Sequence, residues 1–415
     1  MKNEKSFIIN SLLDMDFYKF TMGLLVFKNY RDVKVRYAFK NRTKGVRISS
    51  MVKMEEIQEE LDHIRTLRFF SEELCYLRGN KNNGKALFTE DYLDFLANLQ
   101  LPAVEVGYDH DGEFLIDIFG KWSEAIYWET LILSVINELY YRAMFRKVPE
   151  IGKKAIFSNG RKVLQEKIEL LKKHPGIFIS EFGTRRRFSR EWQYEVIQEI
   201  SKGLGNQLIG TSNVRAAMDY GLKASGTVAH ETWMGVSGLM HESDDSIRAS
   251  HNKVLQDWWN EFGYGLSIAL TDTYGTDFFF RDFTAEQAHN WKGLRQDSGD
   301  PFTFGEKAIA FYERLGIDPK EKVIIFSDGL DLQKIVALNE QFTGRIKIVF
   351  GWGTNLTNDL GFSPLSIVIK LMESNGHGTV KLSDNIAKAM GNPKDIRRFA
   401  KIFNYTCTAY EECKV

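Results

Sequence analysis

The sequence contains little cysteine and little proline. Its three cysteines, Cys75, Cys407 and Cys413, are odd in number, and their spacing fits neither a disulfide framework nor a set of zinc ligands. Such cysteine usage is typical of a reducing compartment. The chain has seven prolines in 415 residues and no Ser/Gly/Pro-rich linker, which indicates domains that are fused tightly rather than joined by a flexible tether.

An excess of either charge is also missing, and so is any long apolar run. Lys plus Arg and Asp plus Glu both number 55, whereas a protein of nucleic acid or anionic membranes would carry a basic excess. No run approaches the ~18 apolar residues of a membrane span. Asn10 and Asp14 interrupt the apolar patch near the start, which argues against a secretory signal. We therefore expect a cytoplasmic protein that binds neither nucleic acid nor membrane.

The residues that are present have the balance of a folded protein too long for one small core. Hydrophobic residues make up 43% and charged residues 27% of the chain, and 415 residues suggest several domains, or a barrel plus a smaller domain. In the first third, alternating apolar residues predict strands at 33–39 and 113–119. Helical spacing or capping predicts helices at 52–77, 89–101 and 123–145.

The pattern changes at about residue 175, where short apolar runs ending in small or polar residues alternate with amphipathic helices. This alternation predicts parallel strands. Seven such units predict an incomplete α/β barrel of the TIM type, since a complete one takes about 250 residues. An open doubly wound sheet is the alternative, although its nucleotide fingerprint is missing. The strand candidates are "GIFISEFGTRR", "QLIGTSN", "ASGTVAHE", "LSIALTDTYGTD", "GLRQDSGDP", "KVIIFSDGLD" and "IKIVFGWGTN".

The run "GTVAHE" (226–231) is predicted to be the end of a strand with His230 at its tip. In a barrel the chemistry lies at the carboxyl ends of the strands, so this imidazole would face the catalytic mouth. No HExxH pair and no zinc-like cluster accompanies it, which argues against a metal site. Glu231 should point to the opposite face of the strand and is predicted to be structural.

Two other strand ends carry arginine. In "EFGTRRRFS" (181–189) the alternative is a solvated basic turn, but arginine on such a loop binds phosphate or carboxylate through two hydrogen bonds. Three neighbouring arginines cannot all face one cavity, so Arg185, the first after the strand, is favoured. In "GLRQDSGDP" (293–301), Arg295 beside Asp297 suits a sugar phosphate, and an ordinary Asp/Gly turn is the alternative.

The last strand candidates end in loops that suit phosphate and hydroxyl groups. In "FGWGTN" (350–355), Gly351, Gly353 and Thr354 would let backbone N–H groups approach a phosphate, unless this is a plain tight turn. In "FSDGLD" (326–331), Asp328 or Asp331 would hold a hydroxyl or cap the next helix.

As an ordered set, these motifs resemble the nicotinate phosphoribosyltransferase family. "DFYKFTMG", "EFGTRRRFS", "GTSNV", "GTVAHE", "GLRQDSGDP", "SDGLD" and "FGWGTNL" all occur in the family's order, from residue 12 to the "VKLSDN" stretch at 380–385. The resemblance implies an incomplete α/β barrel at 126–379. It also implies a smaller α/β domain built from 1–125 and a return of the chain at about 380–415.

The resemblance further implies a function. The enzyme would join nicotinate to 5-phosphoribosyl 1-pyrophosphate with Mg²⁺, releasing pyrophosphate and nicotinate mononucleotide in NAD salvage. ATP would be a co-substrate whose hydrolysis is coupled to this C–N bond formation through phosphorylated His230. Glu181 or Asp272 could orient that ring. The active sites would be shared across an obligate homodimer.

The remaining site residues follow from the same resemblance. Tyr18 of a neighbouring subunit and Phe182 would stack on the pyridine ring, and Arg185 would meet the nicotinate carboxylate or the pyrophosphate. Thr211 and Ser212 would line the base pocket. Arg295 and Asp297 would hold pyrophosphate and ribose. Asp272 would support Mg²⁺, together with Asp297, or a ribose hydroxyl. Asp328 would bind substrate, and Gly351, Gly353 and Thr354 would cradle the 5-phosphate.

Three alternatives remain open at the level of sequence. A nicotinamide phosphoribosyltransferase shares the architecture, but amide-using relatives carry Asp at the position of Ser212, and a carboxylate there would repel nicotinate. A non-catalytic sugar-phosphate sensor would be favoured by loss of His230 or Asp297, and both are present. A phosphate-binding barrel aldolase would need a Schiff-base lysine at a strand end, and none is evident.

Overall fold

The computed structural model describes residues 6–411, so Cys413 lies outside the described residues. Within them the chain forms an antiparallel sheet, a parallel sheet and a small hairpin. The strands are β1 (Lys34–Asn41), β2 (Lys81–Asn82), β3 (Lys85–Ala86), β4 (Val104–Tyr108), β5 (Phe114–Lys121), β6 (Ile179–Glu181), β7 (Leu208–Thr211), β8 (Ile268–Leu270), β9 (Gly293–Gln296), β10 (Val323–Phe326), β11 (Lys347–Trp352), β12 (Ile367–Ser374) and β13 (His377–Gly378).

Helices cover both sheets and connect the parallel strands. They are α1 (Tyr18–Asn29), α2 (Met54–Thr66), α3 (Ser71–Gly79), α4 (Glu90–Ala97), α5 (Trp122–Ala125), α6 (Trp128–Phe145), α7 (Glu150–Lys172), α8 (Arg190–Leu204), α9 (Val214–Tyr220), α10 (Glu231–Leu239), α11 (Asp244–Phe262), α12 (Thr276–Asp282), α13 (Ala285–Asn290), α14 (Pro301–Arg314), α15 (Leu332–Phe342), α16 (Thr354–Thr357) and α17 (Pro393–Ile402). The predicted helix at 52–77 is therefore two helices, and the one at 123–145 is interrupted after α5. Among the described residues, no helix combines the length and apolarity that crossing a bilayer would need.

The antiparallel sheet has the order β13-β12-β1-β5-β4. In β1 the residues Val35, Tyr37 and Phe39 are buried and alternate with more exposed ones, as the sequence pattern predicts for a half-buried strand. β12 pairs with β1 along its whole length. The chain thus rejoins the N-terminal sheet at residue 367, before the predicted return at about 380, and the division into two domains stays a prediction.

The parallel sheet has the order β7-β6-β11-β10-β9-β8. Its first strand, β6, pairs with both β7 and the last strand, β11. This is the cyclic order of an α/β barrel with a single break, between β7 and β8, and it fits the predicted incomplete barrel.

The "GTVAHE" stretch lies in the chain between β7 and β8, at this break in the sheet. The sequence predicted a strand there, and that prediction was wrong. Ala224 forms one parallel β-bridge with Thr211, and residues 225–229 belong to no strand. Helix α1 takes the hydrogen bonds that a neighbouring strand would take: the Thr21 hydroxyl donates to the Thr227 carbonyl at 2.6 Å, and the Ala229 N–H contacts the Met22 sulfur at 3.1 Å. His230 is consequently the N-cap residue of α10 rather than a strand tip.

Candidate active site

The carboxyl ends of the parallel strands open into a cleft of about 180 Å³, where a barrel places its chemistry. The segments after β6, β9, β10 and β11 contribute to it, together with α1 and the N-terminus of α10. Ten of the residues predicted from the sequence line this cleft: Tyr18, Phe182, Arg185, His230, Arg295, Asp297, Asp328, Gly351, Gly353 and Thr354.

His230 is buried in the cleft, and four residues contact its two ring nitrogens. Its Nδ1 lies 3.1 Å from the Thr273 hydroxyl. Its Nε2 lies 3.0 Å from an Asp297 oxygen, 3.5 Å from Asp272 Oδ1 and 2.8 Å from Lys381 Nζ. Burial lowers the pKa of His230 to about 4, with Lys381 acting in the same direction, against the opposing effect of Asp272. The ring is therefore neutral at physiological pH, as a nucleophile must be.

Of the two groups predicted to orient this ring, only Asp272 lies beside it. Glu181 instead accepts hydrogen bonds from the Thr211 hydroxyl at 2.5 Å, the Gly183 N–H at 2.5 Å and the Gln193 amide at 3.1 Å. Burial raises the pKa of Glu181 to about 7. This carboxyl group shapes the start of the Arg185 loop and has no contact with His230.

Asp297 and Arg295 form one polar unit, as their spacing in the sequence suggested. Arg295 donates to Asp297 at 2.8 Å and to the Ser327 hydroxyl at 2.8 Å, and Ser327 in turn donates to Asp297 at 2.9 Å. Burial alone would raise the pKa of Asp297, but Arg295 and His230 hold it well below its usual range. The carboxylate is thus charged and fixed toward the cleft.

The three consecutive arginines have different positions. Arg185 and Arg186 line the cleft, and Arg185 lies 3.3 Å from Asp16 and 3.5 Å from Glu129. Arg187 points away and is completely buried in a bidentate pair with Asp14 at 2.6 and 2.8 Å. This placement agrees with the prediction that only one or two of the three arginines would face the cavity and that Arg185 would be one of them.

Phe182 packs closely on the glycine-containing loop after β11. Its backbone N–H donates to the Trp352 carbonyl at 2.8 Å, and a Cβ on Gly351 would lie 2.6 Å from its ring. A Cβ on Gly353 would lie 3.0 Å from the Phe182 carbonyl oxygen. Because Gly351 and Gly353 have no side chains, the Phe182 ring can pack against the backbone of this loop on one side of the cleft.

Thr211, Ser212 and Asp272 do not line the cleft itself. The Thr211 hydroxyl donates to Glu181, and Thr211 lines neither the cleft nor the adjoining cavity. Ser212 lines this second cavity of about 1170 Å³, the inner cavity, which adjoins the cleft and is bordered by the strands of the parallel sheet. The Ser212 hydroxyl donates to Asp16 at 2.7 Å. Asp272 is fully buried and lies 3.5 Å from His230 and 3.3 Å from Lys381, both of which line the cleft.

Tyr18 stands at the junction of the cleft and the inner cavity, both of which it lines. The Phe17 N–H donates to the Ser212 carbonyl at 2.7 Å and fixes the start of α1 against the parallel sheet. The Tyr18 ring lies 5.7 Å from the Arg185 guanidinium. The chain's own Tyr18 therefore lines this cleft, and the delivery of Tyr18 by a neighbouring subunit stays a prediction.

Several residues of the site were not predicted from the sequence. Asp16 contacts Ser212 and Arg185 from the base-pocket side. Lys370 lines the cleft 3.5 Å from Glu129, and burial lowers the pKa of Lys370 to about 8. Lys381 contacts His230, and Lys388 pairs with Asp328. For Asp16 and Lys381 the signal was their place inside the "DFYKF" and "VKLSDN" motifs.

Glu231 is structural, as predicted, although not for the reason given. It accepts hydrogen bonds from Lys19 at 2.6 Å, from Trp122 at 2.9 Å and from the Tyr37 hydroxyl. Lys19 is completely buried and also pairs with Glu129 at 2.8 Å. The first residue of α10 is thereby anchored to α1 and the antiparallel sheet, which fixes His230 next to it.

Comparison with known proteins agrees with this geometry. Models of the nicotinate phosphoribosyltransferase (NAPRTase) family and of its N-terminal domain match residues 177–407 and 13–137. The solved nicotinate phosphoribosyltransferase from Porphyromonas gingivalis is 35% identical with a TM-score of 0.86, over 96% of this chain and 100% of that one. The one from Vibrio cholerae is 36% identical with a TM-score of 0.86, over 97% and 95%. This chain therefore belongs to the nicotinate phosphoribosyltransferase family.

Proposed function

We propose that this chain transfers the 5-phosphoribosyl group of phosphoribosyl pyrophosphate to nicotinate, coupled to ATP hydrolysis through phosphorylation of His230. The products would be nicotinate mononucleotide and pyrophosphate, made for NAD salvage in the cytoplasm by a homodimer. One observation carries the proposal: a buried, neutral His230 lies 3.0 Å from the carboxylate that Arg295 holds in a cleft lined with arginine, lysine and glycine.

The aromatic residues at the junction of the two cavities would hold the pyridine ring. Tyr18 and Phe182 line both cavities, so a flat base between them would reach the cleft with one edge. Aromatic pairs favour stacked or edge contacts of this kind. Arg185 beside Tyr18 would receive the carboxylate of nicotinate through two charge-assisted hydrogen bonds.

The transfer itself would depend on positioning and charge rather than on proton transfer. As pyrophosphate leaves the anomeric carbon, the sugar gains oxocarbenium character and the pyridine nitrogen attacks. Arg295 would stabilise the leaving pyrophosphate, and Asp297 would fix the ribose hydroxyls. The loop that contains Gly351, Gly353 and Thr354 would bind the 5-phosphate through its backbone N–H groups.

His230 would act on ATP in a separate step. Its neutral ring can attack the γ-phosphorus, forming an N–P bond as the bond to ADP breaks. The phosphorylated ring would bring negative charge next to Asp297 and Arg295 and so change their affinity for pyrophosphate. Water would later cleave the N–P bond and restore the free ring.

The expected Mg²⁺ does not fit His230, Asp272 and Asp297 as they stand. Their ligand atoms lie within 4.8 Å of one another, and Asp272 Oδ1 has no hydrogen-bond partner. However, the Lys381 ammonium already contacts His230 Nε2 at 2.8 Å and Asp272 at 3.3 Å. We propose Mg²⁺ as a companion of the pyrophosphate substrate, and no step above passes through it.

We expect wild-type protein to prefer nicotinate, and Arg185→Gln to lower kcat/KM for nicotinate about 10- to 100-fold by removing a charge-assisted contact. The rate with nicotinamide should change much less. Steady-state assays with each base at saturating phosphoribosyl pyrophosphate measure both values. Arg186→Gln, the neighbouring arginine of the same cleft, is the control and should keep the preference between the bases. A wild-type preference for nicotinamide would contradict the proposed substrate.

Gly351→Ala should raise KM for nicotinate on the order of 10- to 100-fold, because the new Cβ displaces the Phe182 ring that it would meet at 2.6 Å. Gly107→Ala is the matched control, since a Cβ there meets nothing within 4 Å. Initial-rate kinetics with varied nicotinate test this. An unchanged KM in Gly351→Ala would show that Phe182 does not hold the base.

A further inference from the structure

The cluster of His230, Asp272 and Asp297 has the composition of a metal site. The residues come from the start of α10 and the segments after β8 and β9, and each offers a ligand atom within 4.8 Å of the other two. Asp272 is fully buried, and its Oδ1 has no hydrogen-bond partner. Asp297 is partly exposed and already pairs with Arg295 at 2.8 Å, so the fully buried Asp272 is the carboxylate that requires a compensating positive charge.

The chain supplies that charge from a distant segment. Lys381 is 5% exposed, and its Nζ lies 2.8 Å from His230 Nε2 and 3.3 Å from Asp272 Oδ2. Its backbone is fixed by a two-way bridge to Met390, with N–H to carbonyl distances of 3.0 and 2.9 Å. The ammonium therefore stands among the donor atoms that a metal ion would need.

We propose that Lys381 is the resident cation of the His230–Asp272–Asp297 cluster, so that the free enzyme holds no divalent metal ion there. Mg²⁺ needs ligand atoms at about 2.0–2.1 Å in a near-octahedral arrangement, with lone pairs directed at the ion. Here an ammonium group already uses the imidazole lone pair and one carboxylate, and its own charge repels a second cation. The inference rests on these contacts and does not depend on the proposed reaction.

The same contact assigns the proton of the histidine ring. His230 Nε2 lies 2.8 Å from the Lys381 ammonium, which has only donors, and 3.0 Å from an Asp297 oxygen, which has only acceptors. The shorter contact favours a Nε2 that accepts from Lys381 and carries no proton. The ring proton then belongs on Nδ1, where it donates to the Thr273 hydroxyl at 3.1 Å. Lys381 is thus a positioning residue that selects the tautomer whose Nε2 lone pair faces its ammonium group.

Removal of the ammonium should convert the cluster into a metal site. We expect Lys381→Met, as the full chain without substrates, to bind one Mn²⁺ per chain at least about tenfold more tightly than wild type. Isothermal titration and the loss of the free-Mn²⁺ EPR signal measure this. The gained site should disappear in the double variant Lys381→Met with Asp272→Asn. Lys381→Arg keeps a cation in place and should bind Mn²⁺ as wild type does.

Lys167→Met is the matched control for removing a buried lysine. Its ammonium contacts Asp359 and the Asn355 carbonyl, both at 2.6 Å, instead of the cluster. It should gain no Mn²⁺ site. Wild type that binds one Mn²⁺ per chain as tightly as Lys381→Met, or a Lys381→Met protein that gains no binding, would overturn the proposal.

A measurement on the wild-type chain covers the case in which Lys381→Met does not fold. Proteins labelled with ¹⁵N-histidine should show His230, identified by its absence in His230→Gln, as the neutral ring with the proton on Nδ1 and an unprotonated Nε2. A proton found on Nε2 would show that Lys381 does not donate to this ring and would overturn the assignment.

Discussion

His230→Asn is expected to abolish both the phosphorylation of the protein by ATP and the stimulation of the transferase reaction by ATP, while a slow ATP-independent reaction remains. Asn keeps a buried polar group beside Asp297 and Asp272 but has no nitrogen lone pair that can attack phosphorus. The remaining reaction is expected because the proposed transfer needs Arg295, Asp297 and the base pocket, and none of these is altered. The whole ATP effect thus depends on one side chain.

The measurement follows label from [γ-³²P]ATP into the protein and compares initial rates with and without ATP. Wild type should carry an acid-labile phosphate, as expected of a phosphoramidate, and His230→Asn should carry none. His251→Asn is the control, since His251 is also buried but pairs with Asp282 at 2.6 Å and does not line the cleft. Undiminished stimulation by ATP in His230→Asn would remove His230 from the coupling step.

Arg187→Met is expected to lower the free energy of unfolding by about 3–5 kcal/mol, because it leaves a buried carboxylate without its partner. Arg187 and Asp14 are both completely buried and share two hydrogen bonds, at 2.6 and 2.8 Å. Asn213 donates to the same carboxylate at 2.7 Å, and Arg190 Nε lies 3.6 Å from it without a hydrogen bond, so Asp14 would lose its two charge-assisted hydrogen bonds. Urea unfolding followed by circular dichroism measures the loss.

An exposed pair of the same chemistry is the control for this prediction. Arg345 and Glu306 also form two hydrogen bonds, at 2.6 and 2.7 Å, but both side chains are more than 40% exposed. Arg345→Met should therefore cost roughly 0–1 kcal/mol. The double variant Arg187→Met with Asp14→Leu should regain much of the stability lost in Arg187→Met, since no unpaired charge remains. Equal losses in Arg187→Met and Arg345→Met would contradict the argument from burial.

The arginine run shows where sequence reasoning was sufficient and where it was not. The residue types and their position after an apolar run predicted an anion site, and steric reasoning predicted that not all three would face it. Which contacts each one makes could not be predicted. Arg187 pairs with Asp14, 173 positions earlier in the chain, and Arg185 lies between Asp16 and Glu129.

The "GTVAHE" stretch illustrates the opposite outcome. Its short apolar run resembles the other apolar runs of this part of the chain, which do form strands. A strand also needs partner strands, and here side chains of α1 contact the backbone instead. The structure therefore places His230 in the cleft, as predicted, while its local structure was predicted wrongly. The position of Glu231 was affected in the same way: its partners lie on α1, β1 and α5.

The sequence by itself determined the α/β class, the order of the strand-end motifs and the chemical groups that line the cleft. These follow from local patterns, because hydrophobic periodicity and side-chain chemistry are properties of neighbouring residues. Only the tertiary structure decided which groups meet. Lys381 reaches His230 across 151 positions, and Asp16 reaches Ser212 across 196. Such contacts are set by the packing of whole sheets and helices, and no spacing along the chain encodes them.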